Sequence, residues 1–354
     1  MKRLSFAAGA ALLASTAMVQ AGGIERTNQS VDIIFEEGTL VEFGVSYAMP
    51  SVSGVAGGFD TGVMSPNYFG FSGGYKTDIG DKIGLAIIFD QPYGSSADYT
   101  TGFYTGIAAD LTSSAITVIG SYDVSDRIVL FGGGTYQTMQ ATAAVPAALH
   151  YTIDADSASG FGFVAGAAYQ IPDIALRVAL TYRSEVASTH NTIENSDIIP
   201  LDTAGTIDIA TPQSINLEFQ TGINPKTLVF GSIRWVDWST FDLTPDNYLM
   251  PPTFALVDYT DDRITYNIGV GRKLSETLSA AVTMGYERNL HGDPSALAPT
   301  DGFFSLGAGL TYTMDNIKIS GGAKYIWLGD STGVAGTFEN NSAIGIGVNF
   351  SIAM

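Results

Sequence analysis

Three histidines, no cysteine and a scatter of acids are the material for catalysis or metal binding in this 354-residue chain. His150, His190 and His291 stand far apart, with no second histidine or acid at ligand spacing, so they do not read as a metal site. Without cysteine there is no thiolate nucleophile, zinc-thiolate cluster or disulfide framework. The acid groups Asp154/Asp156 and Asp258/Asp261/Asp262 lack the spacing of a calcium loop and read as solvated loop charge. Gly132-Gly133-Gly134 lies inside a strand-like pattern rather than between a strand and a helix, which fits a bulge or close packing and not a phosphate loop. No spacing supports a Ser-His-Asp site. We therefore expect no catalytic residue, no metal and no cofactor.

The charges that alternate with apolar residues are more informative. By parity, Glu42, Asp90, Arg183, Glu185, Glu218, Arg234, Glu287 and Lys324 fall on the face opposite the large apolar side chains. Arg183, Arg234 and Lys324 are candidates to pair with a ligand carboxylate, the arginines through a forked donor set. The competing expectation is internal pairing, with Glu218 and Arg234 on adjacent strands as the obvious couple. Phe35, Phe103, Tyr104 and Phe254 are candidate apolar ligand contacts, the last three in segments too greasy for loops that merely face water. They could equally pack the loops onto one another.

These residues sit on a recurring element. Runs such as Val41, Phe43, Val45, Tyr47 against Glu42, Gly44, Ser46 recur about fourteen times, and Gly, Thr, Val and Ile disfavour helix throughout. Tight connections (Val124-Ser125-Asp126, Pro172-Asp173, Asn224-Pro225-Lys226, Asp315-Asn316) alternate strictly with long ones. The long set is read as Ala48–Asn67, Pro92–Thr112, Met139–Ser159, Ala187–Thr211, Ser239–Asp262, Asn289–Asp301 and Gly329–Asn341. Short turns on one side and long loops on the other are the signature of a transmembrane antiparallel β-barrel; a soluble sandwich or propeller has no need of that asymmetry. Tyr75, Tyr122, Tyr169, Tyr286, Tyr312, Tyr325 and Trp327 fall near strand ends on the apolar face, where interfacial girdles belong.

Composition agrees. A mean hydropathy of +0.19 is high for a water-soluble chain, yet after residue 21 no apolar run reaches the roughly 18 residues of a membrane helix. The formal charge of -19 argues against nucleic acid as a partner, since phosphate binding needs clustered Lys and Arg. Lys2-Arg3, an apolar run to Val19 and Val19-Gln20-Ala21 form a signal-peptide pattern over residues 1–21. Residues 22–38 then form a short plug in the lumen, with Asn28, Gln29 and Ser30 bonding inward polar groups, and residues 39–354 form the barrel.

Thr211-Pro212-Gln213-Ser214-Ile215-Asn216-Leu217, Asn224-Pro225-Lys226-Thr227-Leu228 and Arg234-Trp235-Val236-Asp237-Trp238-Ser239-Thr240-Phe241 resemble the FadL/TodX outer-membrane transporters, as does Tyr182-Arg183-Ser184-Glu185-Val186. The resemblance covers the second half well and the first half in architecture only. It implies a fourteen-stranded barrel with an N-terminal plug in the outer membrane of a Gram-negative bacterium. It also implies passive uptake of hydrophobic small molecules, either long-chain fatty acids or aromatic hydrocarbons. The partners expected are that ligand, outer-membrane lipid and lipopolysaccharide, and the barrel-assembly machinery, with the protein a monomer. A general porin for polar solutes and an adhesive or structural barrel are the rival readings. The N-terminal region is shorter than is usual in that family, and Asn28-Gln29-Ser30 is its recognisable remnant.

Overall fold

The computed structural model describes residues 23–249, 255–290 and 295–354. The signal pattern and Phe254 lie outside them.

The chain closes into a fourteen-stranded antiparallel barrel. Its strands are β1 (Leu40–Ser51), β2 (Tyr68–Ile79), β3 (Ile83–Asp90), β4 (Ala108–Ser125), β5 (Ile128–Val145), β6 (Tyr151–Ile171) and β7 (Leu176–Arg183). The second half continues with β8 (Ser214–Asn224), β9 (Thr227–Val236), β10 (Arg263–Lys273), β11 (Leu278–Glu287), β12 (Phe303–Met314), β13 (Ile317–Leu328) and β14 (Ser342–Ala353). Closure is by β14 on β1, from Leu40 opposite Ala353 to Ser51 opposite Ser342. Each strand pairs with its chain neighbours, which satisfies most of the backbone N–H and C=O groups of the wall.

The alternation expected from sequence sets the faces. Phe43, Ile87, Val118, Leu130, Ile268, Leu306 and Val348 are exposed outward, where lipid would cover them. Thr117, Ser121, Thr181, Asn216, Glu218, Ser232, Thr311 and Asn349 are buried on the inner face. Tyr75, Tyr122, Tyr169 and Tyr312 ring the end of the short turns, and Tyr266, Tyr286, Tyr325 and Trp327 ring the other. At one tight turn Asp315 takes a φ of +50°, a left-handed position that a short polar side chain tolerates.

Two expected loops are strand instead. β5 and β6 run on to Val145 and Tyr151, leaving only a short turn where a long loop over Met139–Ser159 was expected. The long segment after β7 is largely a hairpin of Val186–Asn195 against Thr203–Thr211. For β6 the reason is a reversal of polarity. In Tyr151–Asp156 the apolar Tyr151, Ile153 and Ala155 face inward and the polar Thr152, Asp154 and Asp156 face out. That is strand alternation, but for a wall that stands in water. A β-bulge shifts the phase: Met139 faces Ala158 while Ala141 faces Ala155, so Asp156 and Ser157 together oppose Gln140.

Candidate functional site

The wall is interrupted near the outer girdle between β2 and β3. β2 pairs with β3 only over Gly73–Ile79, although it pairs with β1 up to Tyr68. β3 ends at Asp90, and after Gln91-Pro92-Tyr93 the chain resumes as Gly94–Asp98, paired to β4 but not to β2. Pro92 has no N–H to give a ladder, and it biases Gln91 toward extended backbone.

The N-terminal segment takes up the freed groups. Arg26 N donates to Pro92 O (2.8 Å) and Gly94 N donates to Ile24 O (2.7 Å), which makes Glu25 and Tyr93 an antiparallel bridge. From there residues 23–38 run against inward-facing side chains around much of the barrel. Arg234 holds Glu25 through Nη2 (2.5 Å) and Nε (2.8 Å), both residues 2% exposed, and also donates to Asn216 Oδ1 (2.6 Å) and Ser214 Oγ (3.1 Å). Asn216 Nδ2 donates to Asn28 O (2.8 Å) and Arg183 Nη2 to Gln29 O (3.0 Å). Ser30 Oγ donates to Glu218 Oε1 (2.7 Å), Thr27 Oγ1 to Asp90 Oδ2 (3.0 Å) and Arg177 Nη2 to Asp32 Oδ1 (2.6 Å). Lys76 Nζ closes the series on Gly38 O (3.2 Å).

A single 3-10 turn, Asp32–Phe35, ends the polar stretch and turns Ile33 and Ile34 into a buried cluster with Ala86, Ile119, Phe131 and Val164. Phe35 lies edge-on to Phe131 (5.9 Å) and under the Arg177 guanidinium (4.3 Å). Gly74 has to be glycine for this, because a Cβ there would meet Ile33 Cδ1. Where the segment begins, Gly23 lies against the indole of Trp238, which packs on Tyr93 (6.1 Å), Phe241 (5.3 Å) and Tyr259 (5.2 Å).

Three spaces line up with this segment. Above it, between the tall parts of β4, β5 and β6 and the outer loops, is a narrow apolar cavity of about 50 Å³ whose floor is Ile24. Beside it, a larger space runs along the unpaired end of β2 past Tyr68, Phe71 and Gln91. Below it, a vestibule bounded by Phe35, Lys82, Pro172 and Asn316 opens at the short-turn end. The Arg26 guanidinium stacks on Tyr68 (4.0 Å to the ring centre) and lies so close over Gly94 that no Cβ would fit. It thus stands in the wall gap, between β2 and the resumed strand.

The residues singled out from sequence fall into separate places. Arg183 and Arg234 surround the N-terminal segment, and Arg234 is paired with Glu25 rather than with Glu218. Lys324 is buried on the inner face of β13, opposite Gly307 in register. Phe35 is in the lumen; Phe103 is exposed, stacked on Phe59 (6.1 Å) and edge-on to Tyr104 (5.3 Å) in the loop cap. Tyr104 Oη donates to Ala335 O (2.8 Å) and Tyr99 Oη to Ala296 O (2.9 Å), so these rings pin loop to loop. Burial pushes the Tyr99 phenol above its ordinary range, with Tyr104 adding to the effect, which keeps it a neutral donor. Glu185, expected inward, is exposed: the chain bends at Ser184, which caps Phe163 of β6 on both its N–H and C=O, and the parity is lost there. His190 is buried with Nε2 2.8 Å from Ser188 Oγ and Nδ1 2.8 Å from Asp156 O, tying the hairpin to β6. His150 lies against Asp197 (2.8 Å), and His291 is outside the described residues. Sequence reasoning missed Glu25, the partner that gives Arg234 its role, and the cavity. A proline within the β3 pattern and the reversed alternation at Tyr151 were their signals.

The whole barrel, from residue 41 to residue 351, matches the model of the outer membrane protein transport proteins (OMPP1/FadL/TodX). The chain belongs to this family. It is an outer-membrane protein of a transport family rather than an enzyme family. The crystal structure of a Pseudomonas aeruginosa FadL homologue superposes with a TM-score of 0.73 at 13% identity, covering 96% of this chain and 99% of that one. The Pseudomonas putida toluene transporter TodX gives 0.69 at 13% identity, with 97% and 98% covered. The Ralstonia pickettii toluene transporter TbuX gives 0.64 at 15%, with 90% of each chain covered. At such identities these likenesses speak for the fold. No curated protein matches the chain. The Arg234–Phe241 motif acquires a physical meaning here: Arg234 clamps Glu25 and Trp238 backs Gly23, so the motif seats the start of the N-terminal segment.

Proposed function

We propose that this protein is a passive outer-membrane channel for hydrophobic small molecules, with residues 22–38 acting as a plug in its lumen. The observation that carries the reading is the alignment of an apolar cavity, the N-terminal segment that floors it, and the wall gap which the same segment fills. Cargo enters between the outer loops, rests above Ile24, and leaves when the segment shifts, sideways through the gap at β2 or down into the vestibule. A lateral exit suits an apolar solute, because it passes into lipid without crossing water. Two of the structural neighbours are toluene transporters, which accords with this class of cargo. The channel works without cofactor or catalytic step, as a monomer, bounded by lipid and lipopolysaccharide at its girdles and inserted by the barrel-assembly machinery.

Deleting Glu25–Phe35 tests the reading. The barrel is expected to stay folded, shown by a heat-dependent gel shift in SDS, while liposome swelling reveals faster leak of small polar solutes and retention of hydrophobic ligand falls. Unchanged leak and unchanged retention would leave the segment with no gating role.

A further inference from the structure

We infer that the cargo of this channel is uncharged, a neutral hydrocarbon or alcohol rather than a fatty-acid anion. The inference rests on the channel reading above and names its substrate class.

Two independent observations support it. The first is the lining of the cavity. Among the described residues no Lys, Arg or His borders it. Its inward side chains are short and aliphatic, such as Ala109, Ala141, Ala143, Ile153, Ala155 and Ile209. The single charged neighbour is an acid, Asp110, which with its register partner Thr142 is exposed on the outer face of the same wall. A carboxylate placed here would lose its water with no cation to receive it. An apolar or singly hydroxylated molecule loses nothing comparable, and Ser95 offers one hydroxyl partner at the rim.

The second observation concerns the cations that could have served. Arg234 spends its donors on Glu25, Asn216 and Ser214, and Arg183 donates to the backbone of Gln29. Arg26, the nearest cation along the chain from Ile24, is stacked on Tyr68 in the wall gap and does not line the cavity. Freeing Arg234 for a ligand would leave Glu25, buried in the segment that floors the cavity, without its partner.

Matched ligands separate the possibilities. The full mature protein in nanodiscs is titrated calorimetrically with toluene, 1-decanol and decanoate at pH 7.5, the last two differing only in the head group. Toluene and 1-decanol are expected to bind, with decanoate at least tenfold weaker than 1-decanol. Decanoate binding as tightly as 1-decanol would overturn the inference while leaving the channel reading intact. Binding of none of the three would overturn both. Ala143→Lys, and Ala109→Lys as an independent placement, put a cation into the cavity and are expected to bring decanoate level with 1-decanol or above it. If both variants fold, by their heat-dependent gel shift, and neither changes the order, the cavity is not the binding site and the inference falls.

Discussion

The same three strands build two different walls. Along β4, β5 and β6 the outward residues Ile116, Tyr136 and Phe161 lie side by side in register, and one step up lie Ser114, Thr138 and Ser159. Below that line the wall is apolar outside, with polar Ser121, Thr117 and Gln137 buried within. Above it the order is inverted: Asp110, Thr142 and Asp154 face out, and Leu111, Ile107, Ile153 and Tyr151 are buried. The switch falls at one level on all three strands, so it marks where lipid gives way to water. The two halves of the interior serve different ends as a result. The lower lumen has the donors and acceptors that hold a polar backbone segment, whereas the upper one ties its polar groups to one another, as Tyr151 and Asn247 on Glu194, and holds an apolar cavity. The three strands run on across the line, with a β-bulge between Met139 and Ala141, while the sidedness of the sequence changes.

The largest effect should come from breaking the tie that joins the halves. Glu25→Ala leaves Arg234 buried without its carboxylate, a loss on the order of 3–5 kcal/mol for such pairs. If the lower lumen is a socket, that cost falls on the segment: hydrogen exchange should rise across residues 23–38 while the strands stay protected. Exchange rising equally in β8 and β9 would mean that the pair holds the wall itself, and the division drawn above would fail.

A charge on the outer face sharpens the boundary. Ile268→Arg, on the lipid face of β10, should cost about 2–4 kcal/mol of folding stability in liposomes if it lies near the bilayer midplane. Thr152→Arg, outward on β6 above the switch, should change stability by no more than about 0.5 kcal/mol. Denaturant titration of both variants checks the contrast. Equal losses would place lipid around the upper wall as well.

This boundary explains what could be read from sequence. The lower wall was legible because its apolar outward residues and tight turns such as Asp315-Asn316 follow one rule. The upper strands Tyr151–Ser159 and Thr203–Thr211 obey the same period of two with the sides exchanged, and so read as loop. Strand register was also out of reach, and with it the partners: parity puts Arg234 and Glu218 inward, but nothing local says that a residue 209 positions earlier meets Arg234. Lone inward charges invite a ligand reading until the segment that meets them is placed. The cavity was hidden for a different reason. It is made of alanines and isoleucines that carry no chemistry alone, and only the tall hairpins bring them together.

The smallest structural change is expected to give the clearest functional result, and it lies where the two walls meet the gap. Arg26→Ala removes the guanidinium that stands between Tyr68 and Gly94. A stacked cation of this kind contributes roughly 0.5–2 kcal/mol, and the backbone bonds from Arg26 N to Pro92 O and from Gly94 N to Ile24 O do not need the side chain. The segment should therefore remain seated, with hydrogen exchange at residues 27–38 unchanged. Arg26 and Tyr68 both border the space beside β2 and a second one lined by Gly23, Met64 and Leu297, and the partition between these two should nevertheless be lost. Release of bound 1-decanol into nanodisc lipid is then expected to quicken several-fold, while swelling rates for polar sugars, which depend on the whole segment, stay near wild type. Arg26→Lys keeps the charge but not the flat stacking surface, and should fall between the two. Faster sugar leak with unchanged decanol release would reverse the assignment, making the gap a water path and the vestibule the route for cargo.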